Sequence, residues 1–97
     1  MAAKGYFVVT YRKIVDQEKW GAYAKVAGPA IQKAGGRFIV RGMPSATHEM
    51  GMKERVVIAE FDSVHKAMAA HDTADYKKAL DALGDGADRD FRIVEGV

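Results

Sequence analysis

The chain has no cysteine among its 97 residues. Neither a disulfide framework nor a thiolate metal site is therefore available to it. Its only serines are Ser45 and Ser63. Ser63 stands where a helix needs a cap, so a serine triad has no support. Charge of one sign is also missing: 15 basic and 13 acidic residues leave a net of +2. The cations are scattered among acids, as in Lys53-Glu54-Arg55 and Asp88-Arg89-Asp90. A nucleic-acid face needs them clustered. No apolar run approaches the ~20 residues of a membrane span. No basic start leads into an apolar stretch, so a signal peptide is not expected and a cytoplasmic protein without membrane contact is. Gly35-Gly36 and Gly84-Asp85-Gly86 lack the following Lys-Ser/Thr of a phosphate loop and read as helix stops. His65 and His71 are six apart, on different faces of a helix, and no His-x-x-x-His or Glu-x-x-His occurs. No metal and no cofactor are expected.

What is present is a regular alternation of elements. Gly5 to Arg12 is rich in β-branched and aromatic residues and predicts a strand. Asp16 is a helix cap, followed by Trp20, Tyr23, Ala24, Ala27 and Ile31 at spacings of three or four. Gly28-Pro29 predicts a kink or break in that helix. Arg37 to Arg41 and Arg55 to Phe61 predict two more strands, separated by a loop over Met43 to Met52. Ser63 caps a second helix, which Asp72-Thr73 can restart, and Arg89 to Glu95 forms the last strand. The order β-α-β-β-α-β gives an α+β, ferredoxin-like domain over residues 1–97. It has a four-stranded antiparallel sheet and two helices on one face.

Two helices cover one face of such a sheet. Yet Phe7 and Val9 alternate with Tyr6 and Val8, and Val57, Ala59 and Phe61 alternate with Val56 and Ile58. Both faces of these strands are largely apolar, whereas a wet face alternates apolar with polar. A second copy packed sheet to sheet is the expected cover, making a homodimer.

The chain resembles the domain of unknown function 1330 family, within the dimeric α/β barrel superfamily. The resemblance rests on Gly5-Tyr6, Tyr23, Pro29-Ala30-Ile31, Gly35-Gly36-Arg37-Phe38, Arg41-Gly42, Glu54 to Ser63, Tyr76 and Val94-Glu95-Gly96. It implies a ferredoxin-like subunit in a dimer closed sheet to sheet, and it implies no particular reaction. The chain departs from the family pattern at His71, where a Tyr is common, and at Ala74, where a Pro is common. It also departs at Leu83-Gly84, near which many members carry an Arg.

Several residues are candidates for chemistry. Arg37 and Arg41 lie four apart on a strand with Ile39 between them, which predicts one shared face and a bidentate grip on a carboxylate or phosphate. The alternative is an ion pair with Glu60 or Glu95, or plain solvent exposure. Glu60 sits among apolar residues as either a paired structural acid or a general base. His48, in the loop, is a surface residue or an acid–base group near neutral pH. His71, on the apolar side of its helix, is a packed residue or a catalyst. Tyr23 and Tyr76 line either the core or a pocket. Together these predict a small organic or anionic ligand beside the sheet, held by Arg37, Arg41, Tyr23 and Tyr76, with Glu60, His48 and His71 as catalytic candidates. Whether the protein is an enzyme stays open. The alternatives are a non-catalytic ligand-binding or regulatory module, and an enzyme like the superfamily's cofactor-independent monooxygenases or isomerases. RNA binding is not expected, because the third strand offers aliphatics and an acid where RNA-recognition motifs present aromatics.

Overall fold

Alternation along the strands sets the architecture. In the computed structural model, which describes residues 3–97, β1 spans Gly5–Ile14, β2 Arg37–Gly42, β3 Val56–Phe61 and β4 Ala87–Glu95. They form one antiparallel sheet in the order β2-β3-β1-β4. The central strands are β1 and β3, the richest in β-branched residues and phenylalanine. Phe7, Val9 and Tyr11 on β1 and Ala59 and Phe61 on β3 are buried under the helices. Tyr6, Val8, Val56, Ile58 and Glu60 occupy the alternate positions on the opposite, open face, where they are half-buried.

Among the described residues three helices, not two, cover the sheet: α1 over Gln17–Lys33, α2 over Val64–His71 and α3 over Ala74–Leu83. Asp16 caps α1 by accepting the backbone N–H groups of Glu18 and Lys19 at 3.0 and 3.1 Å. The restart at Thr73 separates α2 from α3. Its hydroxyl accepts the Tyr76 N–H at 3.2 Å and donates to the Ala70 carbonyl at 2.9 Å, so one side chain closes one helix and opens the next. The break expected at Gly28-Pro29 does not occur. The helix runs through Pro29 because the proline lies on the exposed side, while Ala27, Ala30 and Ile31 are anchored in the core on either side of it. Gly35, at φ 93°, then ends the segment in a conformation that other residues resist.

α2 lies close against β1, β3 and β4, whereas α1 packs chiefly on α3. The close approach of α2 needs Gly5, since a Cβ there would fall 2.4 Å from the Ser63 carbonyl oxygen. Over the other half of the sheet, α1 leaves a hollow.

One irregularity in β2 matters for the site. Phe38 pairs with Ala59 and Val40 with Ile58, so Ile39 is an extra residue, a β-bulge. Arg37 stays opposite Glu60 on the open face, while Arg41 falls opposite Val57 on the helix-covered face. The single shared face expected for Arg37 and Arg41 is thereby undone.

Candidate functional site: an arginine-lined cavity under the first helix

The hollow between α1 and the sheet is a cavity of about 260 Å³. Its floor is Phe7, Val9, Val57 and Ala59 from the sheet, and its roof is Trp20, Tyr23, Ala27 and Ile31 from α1. Three guanidiniums enter it, from Arg41 at the end of β2, Arg55 just before β3 and Arg89 early in β4. Each lies over an aromatic ring. Arg41 is 4.6 Å from the Phe38 centroid, Arg55 5.3 Å from Trp20, and Arg89 4.7 Å from Tyr23 and 5.3 Å from Phe91. Stacking holds the face of a guanidinium and leaves N–H groups along its edge free to donate.

Arg89 is the best-fixed of the three. It donates to the Tyr23 hydroxyl at 2.9 Å and to the Tyr11 hydroxyl at 3.4 Å. The Tyr23 and Tyr76 hydroxyls are 2.7 Å apart. Burial works against the Arg89 charge, but the tyrosine oxygens outweigh it, and the guanidinium is held above its ordinary pKa. Burial, aided by the neighbouring Tyr23, pushes the Tyr76 hydroxyl up despite the pull of Arg89. At neutral pH Arg89 is therefore a cation beside a Tyr76 phenol that keeps its proton, and both can donate. Among the described residues, no carboxylate lies within 4.0 Å of Arg41, Arg55 or Arg89. The indole N–H of Trp20, also at this cavity, is buried without a partner among the described residues.

The cavity gathers three of the residues singled out from the sequence: Arg41, Tyr23 and Tyr76. The others lie elsewhere. On the open face, Glu60 accepts from the Tyr6 hydroxyl at 2.9 Å and from Arg37 Nε at 2.8 Å. These bonds, the one from Tyr6 foremost, hold its carboxyl below the usual range. The Arg37–Glu60 ion pair is the structural alternative foreseen for both residues. His48 borders a separate hollow beside Arg12 and Glu54. His71 packs by its ring on Tyr76 and Phe91, at 5.4 and 5.3 Å, and contacts Asp72 rather than the cavity. Arg55 and Arg89 were not singled out, although parity marks both. Arg55 shares its face with Val57 and Ala59, and Arg89 shares its face with Phe91 and Ile93.

A ferredoxin-like α+β sheet with a cavity under its helix layer is thus the class of protein at hand. The chain belongs to the family described as domain of unknown function (DUF1330), which matches residues 4–97. No curated protein matches it in sequence. Among solved structures it is similar to a protein of unknown function from Rhodopseudomonas palustris, RPA0582. The TM-score is 0.75 at 17% identity, over 100% of this chain and 85% of that one. It is also similar to SnoaB, a cofactor-independent oxygenase from Streptomyces nogalater. Here the TM-score is 0.62 at 14% identity, over 96% and 92% of the two chains. A third similar structure is a dimeric ferredoxin-like protein of unknown function from Thermobifida fusca. Its TM-score is 0.57 at 16% identity, over 98% and 89%. At these identities the likeness is one of fold. Among the described residues, no helix is long and apolar enough to cross a membrane.

Proposed function

We propose that the protein binds a small organic anion with a flat apolar body in the cavity beneath α1. The observation that carries this is the set of three guanidiniums, on Arg41, Arg55 and Arg89, that face an aromatic cavity and have no carboxylate among the described residues to balance them. Arg89 is drawn partly out of water with phenols but no acid beside it, and an anion from outside relieves that cost. The aromatic walls then supply the apolar contact typical of small-molecule sites. Arg37, Glu60, His48 and His71 have no part in this reading.

The test is thermal unfolding and calorimetry with benzoate against its neutral counterpart benzamide. Benzoate is expected to raise the Tm and benzamide to leave it alone. Equal responses to both, or to neither, would refute the reading. Gly28 lines the cavity, and a Cβ there would meet nothing within 4 Å. Gly28→Leu is therefore expected to occupy the space and abolish the benzoate response in a folded protein.

The same reading includes a homodimer. Val8, Val56 and Ile58 on the open face, with the more exposed Val40 and Val94 beside them, form a flank suited to a second copy. The dimeric state of the similar Thermobifida protein supports it. A second functional reading adds turnover. It draws on the phenols of Tyr23 and Tyr76 beside Arg89, which can stabilise an oxyanion developing on a bound substrate, and on the likeness to a cofactor-independent oxygenase.

A further inference from the structure

The placement of the three guanidiniums narrows the ligand beyond a small anion. Arg41 and Arg89 come from β2 and β4, the two outer strands of the sheet. Three strand spacings, about 14 Å, separate those strands at the backbone. Each head group is held to its own side, Arg41 over Phe38 of β2 and Arg89 against Tyr23 and Phe91. The floor between them is Val57 and Val9, which pair in the row that begins with Arg41 and ends with Phe91. Arg55 precedes β3, the strand next to β2. Its carbonyl accepts the Tyr11 N–H at 3.0 Å, and Tyr11 in turn pairs with Arg89. Arg41 and Arg89 thus enter the cavity from the two outer strands, over a floor of Val57 and Val9, and Arg55 enters from the β3 side in the row of Arg89.

We propose that the ligand carries two acidic groups at opposite ends of a flat body, as in an aromatic or unsaturated dicarboxylate. One carboxylate meets the free edge of Arg89, and the other meets Arg41. This rests on the reading of the cavity as an organic-anion site. A monoanion compensates one end and leaves the other end's charge in place. A dianion compensates both, and the guanidiniums offer the forked donors that carboxylates take in pairs. The size agrees: a cavity of about 150 Å³ accommodates benzene, so about 260 Å³ leaves room for a ring with two carboxylates.

The experiment is calorimetric titration of the full chain with benzoate, terephthalate and monomethyl terephthalate, the last matching the diacid in shape with one charge fewer. Terephthalate is expected to bind about 30-fold more tightly than its half ester, the worth of one set of charge-assisted hydrogen bonds. Arg41→Met, a change at an exposed side chain that spares the core, is expected to cut this preference to within about threefold. Arg89→Met, checked for folding by circular dichroism, is expected to do the same. If benzoate and the half ester bind and the diacid gains nothing, the two-ended site is wrong and the anion site stands. A diacid preference that survives Arg41→Met also overturns the two-ended site. If none of the three acids binds, both readings fall.

Discussion

The two faces of the sheet divide six arginines evenly and treat them in opposite ways. On the open face, Arg12 lies within salt-bridge distance of Asp88 and Asp90, Arg37 pairs with Glu60, and Arg92 with Asp90. On the helix-covered face, Arg41, Arg55 and Arg89 meet aromatic rings and phenols, with no acid among the described residues. The exposed set is compensated where water would have screened it anyway. The cavity-lining set, in which Arg55 and Arg89 are half-buried and compensation matters more, has none. The difference teaches that acidic partners follow the open face and are missing where the cavity opens, which is the contrast the proposed anion site rests on.

The comparison can be broken from the open side first. Ile58→Asp puts a charge in the middle of the apolar flank. It is expected to weaken the proposed dimer by about a hundredfold or more, halving the mass seen in sedimentation equilibrium at micromolar protein, with benzoate binding retained. Wild-type protein that sediments as a monomer would remove the dimer altogether. On the covered side, Tyr76→Phe deletes one buried hydroxyl and leaves Tyr23 bonded to Arg89. A loss of about 1 kcal/mol in urea unfolding is expected, and no loss would mean that the phenol pair does not order the cavity wall. The smallest effect is expected at Glu60. Its folded pKa is depressed by Tyr6 and Arg37. The stability it contributes is present above the ordinary glutamate pKa and is lost as pH falls through the folded value. Glu60→Gln should therefore flatten the fall in Tm below about pH 4.5 and leave ligand binding unchanged.

The fold was legible because its signals are local. Alternation in Tyr6 to Val9 and Val56 to Phe61, caps at Asp16, Ser63 and Thr73, and the stop at Gly35 each act within a few residues. The helix through Pro29 was not legible, because what keeps it whole is the burial of Ala30 and Ile31, a tertiary effect. The site was half legible. Tyr23, Tyr76 and Arg41 reach the cavity, but Arg37 leaves it because one inserted residue reverses the parity of β2. Such an insertion depends on pairing with β3 and leaves no local mark. Arg89 carried a mark in its spacing from Phe91 and Ile93. Its acidic neighbours Asp88 and Asp90 made the segment look solvated, although only alternate positions are.

The extra residue at Ile39 has one more consequence. Among the described residues, both rims of the sheet are strands without a neighbour on their outer side, an invitation for further chains to join rim to rim. The bulge spoils the repeat of such groups on one rim, and the charged run Asp88 to Arg92 guards the other. The apolar flank of Val8, Val56 and Ile58 therefore lies between two rims that each resist taking on a further strand.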